Sequence, residues 1–200
     1  MASKQSTVLE GDPWLEEWLP ALRTRTVLGP VLELGCGTGR DTRALLSAGC
    51  NVAAVDLSRT SLAVAKLAAP RATFYRQDVR EPFPGSPPKY AAVVASLVLH
   101  YFPWSETVEL VERVRAALVP GGLLLCRLNS TNDVHFGAQG HAQIEANYYS
   151  VNGEPKRFFS RESAGALFAR GWAVQHIEEK VVHRYSQPKW LWEIAAQRVA

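Results

Sequence analysis

Apolar residues along this chain come in short runs that alternate with segments of helical spacing, and the alternation repeats across the first two thirds of its length. Runs at 31–34, 51–56, 72–77, 90–99 and 123–128 read as strands. The fourth is nearly continuous, with Val93, Val94, Leu97, Val98 and Leu99, as expected of a strand buried on both faces of a parallel sheet. Between them, 40–48 carries Ala44, Leu45, Leu46 and Ala48 in a helix that Gly49 ends in a left-handed cap. Ser58 caps a second helix, with Leu62, Ala65 and Leu67, that Pro70 forbids to continue. Ser105 caps a third over 106–118, with the stripe Leu110, Val111, Val114 and Leu118, and Pro120-Gly-Gly turns into the next strand.

The flanks are less regular. Asp12-Pro13, followed by Trp14, Leu15, Trp18, Leu19 and Leu22, predicts an N-capped helix over 12–24 with one apolar face, a candidate lid if it is not simply packed on the core. Four prolines and a glycine in 81–88 predict a surface loop. Residues 131–160 lose periodicity and read as a long irregular insertion, of a kind that commonly serves function, near the substrate side. Ser160 caps a last helix reaching Arg170, and two extended runs, 172–183 and 190–199, make a hairpin-like ending. The β-α alternation predicts an α/β fold with an open, doubly wound, mostly parallel sheet and ligands at the carboxyl ends of its strands.

Bulk properties narrow this picture modestly. A chain of 200 residues, 47% hydrophobic and 20% charged, suits one domain spanning 1–200. Its net charge of +3 argues against a nucleic-acid partner. Cys36, Cys50 and Cys126 form no C-x-x-C pair and read as reduced packing residues, so no metal site is expected. The first seven residues hold no apolar leader segment, and no run is long enough to span a bilayer, so a cytoplasmic enzyme away from the membrane is expected.

Chemistry concentrates at 31–39, Val-Leu-Glu-Leu-Gly-Cys-Gly-Thr-Gly, where a strand runs into three glycines spaced two apart. Glycine admits positive φ and lets a ligand approach the backbone, and the following helix offers unpaired N–H groups. The next strand ends in Asp56, 17 positions after Gly39 (56 − 39), where an acid can accept hydrogen bonds from a ribose diol. A dinucleotide fingerprint would need a third glycine where Arg40 stands, which disfavours nicotinamide binding.

The run from Glu33 to Gly39 resembles motif I of the class I S-adenosylmethionine-dependent methyltransferases, E/D-x-G-x-G-x-G, at all four fixed positions, and the resemblance spans roughly 28–130. It implies a Rossmann-like sheet whose last strand is antiparallel, with 190–199 as that strand. It also implies S-adenosylmethionine as cofactor and a set of contacts: backbone approach at Gly35, Gly37 and Gly39, Glu33 organising the loop near the amino-acid end, and Asp56 on the ribose. Leu57 would lie against adenine, Asp78 would accept from the adenine amino group, Val79 would offer a backbone N–H, and Ser96 would sit under the methionine segment. Asp78 as a turn former and Glu33 as an acid satisfied by loop N–H groups are the plainer readings.

For the acceptor, the segment after the fourth strand, Leu97-Val-Leu-His100-Tyr101-Phe102-Pro103-Trp104, is not the [DNS]-P-P-[YFW] of enzymes that methylate exocyclic amino groups, and Pro87-Pro88-Lys89-Tyr90 lies at the strand's other end. The same segment, with 127–130 and 156–160, is similar to small bacterial methyltransferases of the tellurite-resistance and small-molecule type. His100 and Tyr101 are therefore expected in the substrate pocket, His100 as a base, an orienting group or a structural histidine. Arg127, Asn129 and Arg157 are expected either to bind an anionic substrate or to face solvent at a strand edge. A small-molecule acceptor is the leading reading, with an RNA or protein acceptor, or a binding protein without turnover, as alternatives.

Overall fold

The computed structural model describes residues 13–85 and 89–199. Residues 1–12, with the expected cap Asp12, and 86–88, the end of the proline loop with Pro87 and Pro88, lie outside the described residues.

A seven-stranded sheet carries the fold: β1 (Val31–Leu34), β2 (Val52–Asp56), β3 (Thr73–Arg76), β4 (Tyr90–Ser96), β5 (Leu118–Asn129), β9 (Trp172–Val182) and β10 (Lys189–Arg198), in the order β3-β2-β1-β4-β5-β10-β9. The first five strands are mutually parallel, and β10 runs antiparallel to both β5 and β9. The antiparallel strand expected over 190–199 is thus found, but inside the sheet, with β9 outside it. Helices α2 (Arg40–Ser47), α3 (Arg59–Ala68), α4 (Trp104–Ala117) and α5 (Arg161–Ala166) connect the strands, and α1 (Leu19–Arg25) precedes them.

Period-two alternation splits the core into two layers. Leu32 and Leu34, Val93 and Ala95, and Leu124, Cys126 and Leu128 face a layer that includes Leu110, Val114, Phe159 and Phe168. Val31, Ala92 and Val94, and Leu123 and Leu125 face the other, with Trp14, Leu15, Leu22, Leu45 and Leu62. The polar residues Glu33, Ser96, Arg127 and Glu193 fall on the second face. Register sets Ser96 and Glu193 on either side of Arg127.

Several boundaries move for local reasons. Residues 14–18 form turns and α1 begins only at Leu19, with Pro20 in its first turn, so the helix expected over 12–24 is shorter at its start. Strand β4 stops at Ser96, because Leu97 adopts a left-handed φ of 55° and the chain bends into a 3-10 turn, Leu99–Tyr101. Helix α4 starts at Trp104 with Pro103 as its cap residue, so Ser105 lies within its first turn and is not the cap. The expected turn at Pro120-Gly-Gly is instead an irregularity inside β5. Helix α5 ends at Ala166, short of Arg170, while the caps at Ser58 and Ser160 form as expected, accepting from the N–H of Ser61 and Ser163 at 3.2 Å each.

The insertion is more ordered than its sequence suggests. It folds into a three-stranded antiparallel sheet, β6 (Ala142–Glu145), β7 (Tyr148–Val151) and β8 (Glu154–Arg157), with tight turns at Asn147 and Asn152-Gly153, where φ is positive. Such short strands, mostly exposed on one face, lack the apolar runs that mark core strands. No described helix is long and apolar enough to cross a membrane.

Candidate functional site

The carboxyl ends of β1, β2 and β4 open on two cavities that meet at Gly35 and Leu97. The larger, about 590 Å³, is mainly apolar and extends past Asp56, Leu57, Asp78 and Val79 to Tyr101, Phe102, Pro103, Tyr148 and Pro155. The smaller, about 340 Å³, is polar and runs past Glu33, Cys36, Thr38, Arg40 and Asp41 to Ser96, Arg184 and Tyr185.

The three glycines of the loop do different work. A Cβ on Gly35 would meet Val98 at 2.9 Å and one on Gly39 would meet Ala65 at 3.0 Å, so these two let the loop pack against the chain after β4 and against α3. A Cβ on Gly37 would meet nothing within 4 Å, leaving an open cradle beside its backbone. The Gly37 N–H donates to Asp56 Oδ2 at 2.8 Å and the Ser58 N–H to Oδ1 at 2.7 Å, which orients the carboxylate at the rim of the larger cavity. Leu57 is 63% exposed there, an apolar side chain left uncovered beside a cleft.

Glu33 is buried and accepts from Thr42 Oγ1 of α2 at 2.5 Å. Burial lifts its pKa from 4.5 to about 8, outweighing the Thr42 hydrogen bond, and Asp41 and Asp56 push the same way. Asp78 lies beyond β3 and takes the plainer part: Oδ1 accepts from the Arg80 N–H at 2.9 Å and Oδ2 from Arg80 Nη2 at 2.7 Å, an ion pair that holds the carboxyl below its usual range. Its side chain still lines the cavity, as does Val79.

Acceptor-side residues separate into two groups. Tyr101 lines the larger cavity, and Tyr148 Oη of the insertion donates to its carbonyl at 2.9 Å. His100 stacks on Tyr101 with ring centroids 4.2 Å apart but is buried, and its Nδ1 has no hydrogen-bond partner among the described residues. Burial pushes its pKa down to about 3, with Lys189 and Lys156 adding to the shift, so it is neutral near pH 7.

Arg127 and Asn129 are buried on β5 and line neither cavity, so the expectation of a solvent-facing strand edge does not hold for them. Arg127 Nε and Nη2 donate to Ser96 Oγ at 3.0 and 2.8 Å, Nη1 lies 3.9 Å from Glu193, and the guanidinium sits 4.6 Å from the Trp14 ring centroid. Trp14 in turn donates Nε1 to Asp41 Oδ2 at 3.0 Å. Arg157 is likewise buried, tied to Glu145, to the carbonyls of Phe102 and Ala146, and to the Tyr148 ring. Sequence reading missed Leu97, Thr42, Arg184 and Tyr185; the one signal for Thr42 was a hydroxyl in the first turn of the helix that follows the glycine loop, with an acid, Glu33, just before that loop.

Charge and shape fit an S-adenosyl ligand: an apolar cleft rimmed by a doubly oriented carboxylate, joined across bare backbone to a polar cleft. Residues 31–122 match the model of a methyltransferase domain. The chain is 33% identical over 93 residues to an uncharacterized methyltransferase, sll0829, of Synechocystis, an alignment covering 46% of this chain and 43% of that protein. It is 33% identical over 107 residues to trans-aconitate 2-methyltransferase of Rhizobium meliloti, covering 52% of this chain and 40% of the relative. Both matches thus span less than half of the curated relatives' length. A solved structure of 1,6-didemethyltoxoflavin-N1-methyltransferase from Burkholderia thailandensis, with S-adenosylhomocysteine bound, shares the fold at 21% identity with a TM-score of 0.65, over 94% of this chain and 82% of that one.

Proposed function

We propose that this protein transfers a methyl group from S-adenosylmethionine to a small-molecule acceptor. The observation that carries the reading is the pair of cavities meeting at Gly35 and Leu97, one apolar with Asp56 at its rim, the other polar and floored by Glu33. Asp56 accepts from the ribose hydroxyls, Leu57 and Val79 flank the base, and the backbone around Gly35 and Gly37 carries the ligand across the junction between clefts. Asp78, Gly39 and Ser96 shape the same site from its edges.

The cofactor supplies a methyl group on a positively charged sulfur, and that charge is cancelled as the methyl leaves. The protein's share is therefore alignment and exclusion of water, for which no ionised base is required. Leu97, held left-handed at the junction with its N–H donating to the Arg127 carbonyl at 3.0 Å, fixes the wall there. Tyr101, Phe102 and Tyr148 enclose the far end of the larger cavity, and the insertion closes the acceptor side through its ties to residues 101–104. Neutral His100 beneath Tyr101 is placed to orient that wall.

A relative named trans-aconitate 2-methyltransferase supports a small acceptor, and the 1,6-didemethyltoxoflavin-N1-methyltransferase that shares the fold is named for a small molecule too. Buried cysteines, all in thiol form, support a reducing cytoplasmic setting. The test is S-adenosylhomocysteine release from a panel of small carboxylates, phenols and heterocycles, with bulk RNA and protein extract as comparators. Turnover on the macromolecules alone would reverse the acceptor assignment, and failure to bind S-adenosylmethionine would remove the enzyme reading.

A further inference from the structure

The far end of the larger cavity is built from rings. Beyond Asp56 and Val79 it is lined by Tyr101, Phe102, Pro103, Tyr148 and Pro155. Two of these rings are braced. Tyr101 keeps 41% of its surface exposed and rests on the buried His100, with ring centroids 4.2 Å apart. Tyr148 is held at its hydroxyl, which donates to the Tyr101 carbonyl at 2.9 Å, and at its ring, whose centroid lies 4.7 Å from the Arg157 guanidinium. Rings already fixed lose little freedom when a flat molecule packs against them, and ring-to-ring contact adds to simple burial.

Charge around this cavity is mostly negative. Asp56, Asp78 and Glu106 line it against a single guanidinium, Arg80, among the described residues. That guanidinium is engaged: Nη2 lies 2.7 Å from Asp78 Oδ2, Nη1 lies 3.8 Å from Glu106 Oε2, and its carbon is 5.7 Å from the Phe102 ring centroid. Arg157 does not line the cavity and is bound by Glu145 and by the carbonyls of Phe102 and Ala146. Arg40 and Arg184 line the polar cavity, past the junction at Gly35 and Leu97. A carboxylate entering beside Tyr101 would therefore meet acids, and like charges brought together cost binding.

Glu106 offers the complementary contact. It stands in the first turn of α4, and its Oε2 is buried without a hydrogen-bond partner among the described residues. A donor on a bound molecule would satisfy that oxygen. We infer that the methyl acceptor is an uncharged, flat aromatic or heteroaromatic molecule held against Tyr101 and Tyr148, with a polar hydrogen that donates to Glu106. The inference rests on the methyltransferase reading above and gives its acceptor a chemical class. In the transfer, a lone pair on the acceptor's hydroxyl oxygen or ring nitrogen takes the methyl group, the sulfur keeps the pair of the broken S–C bond, and the acceptor's proton goes to water.

Matched acceptors that differ by one carboxylate test this: hydroquinone against 2,5-dihydroxybenzoate, and 5-hydroxyindole against 5-hydroxyindole-2-carboxylate, with citrate as an aliphatic comparator. Release of S-adenosylhomocysteine by the full chain should show kcat/KM about tenfold or more lower for each carboxylated member, as expected of like charges brought together, and no turnover of citrate. Glu106→Gln should narrow that gap and raise the KM for 5-hydroxyindole, while calorimetry shows S-adenosylhomocysteine affinity unchanged. Carboxylated members or citrate turned over as well as the neutral rings, or no ring turned over by protein that binds S-adenosylmethionine, would overturn the acceptor class and leave the methyltransferase reading intact. Loss of S-adenosylhomocysteine affinity in Glu106→Gln would overturn the part given to Glu106 by moving it to the cofactor. Wild-type protein that did not bind S-adenosylmethionine would overturn both readings.

Discussion

The backbone N–H of Gly37 donates to Asp56 Oδ2 at 2.8 Å, tying the glycine loop after β1 to the acid that ends β2. The residue placed to grip a ribose therefore also holds the loop that cradles the ligand. The second oxygen, bound by the Ser58 N–H, fixes the carboxylate plane at the start of α3.

Asp56→Ala should accordingly lose more than one contact. Hydrogen bonds to a charged group contribute about 1.5–3 kcal/mol each, so S-adenosylhomocysteine binding should fall by at least tenfold, with a drop in melting temperature even without ligand. Asp56→Asn, which keeps one acceptor oxygen, should fall between the two. Calorimetry and thermal unfolding of the same samples check this; affinity loss with an unaltered apo melting temperature would show that the loop does not depend on Asp56.

Glu33 makes stability depend on pH. The unfolded chain ionises this carboxyl near 4.5, the folded protein only near 8, so between those values the folded state holds the extra proton and stability falls as pH rises. Glu33→Gln still offers Thr42 Oγ1 an acceptor and removes that slope. Urea unfolding at pH 5, 6.5 and 8 should therefore show the variant gaining on wild type with each step; parallel curves would mean that Glu33 is already ionised in the native protein.

Arg127 is expected to act on folding and not on acceptor recognition. It has no exposed surface and lies between Ser96, Glu193 and the Trp14 ring. Removing one partner of a buried ion pair costs about 3–5 kcal/mol, so Arg127→Ala should lower the urea midpoint sharply. A variant of wild-type stability with a raised acceptor KM would place Arg127 in the substrate site after all.

Tyr148→Phe deletes the hydroxyl that reaches the Tyr101 carbonyl and leaves the ring against Arg157. Stability should change by about 1 kcal/mol. Acceptor KM should rise while S-adenosylhomocysteine affinity stays put, because the bond joins the insertion to the cavity's far wall. Steady-state kinetics beside calorimetry distinguish this from a general loosening, in which both would weaken.

The parallel half of the sheet and its cofactor edge were legible because glycine spacing, alternating element types and an acid at a strand end are local signals. Asp56 and Leu57 were found at the cavity on that basis. Arg127 and Asn129 were misjudged because their surroundings are set by a strand sixty residues later: only once β10 lies against β5 does Glu193 stand opposite Arg127 and bury it. Arg184 and Tyr185 escaped notice for the same reason, since nothing near them in sequence says which edge their turn will reach. The three short strands of the insertion were hidden by their exposure, which frees their residues from any apolar pattern.

Placing β10 between β5 and β9 also dictates an order of assembly. Strand β9 emerges first during synthesis but has no neighbour to pair with until β10 exists, so the two must dock as a preformed hairpin, or β10 must dock before β9. Either route makes contacts of long sequence separation the final step, which slows folding, and until then the β5 backbone stays open along one side to any other unpaired strand.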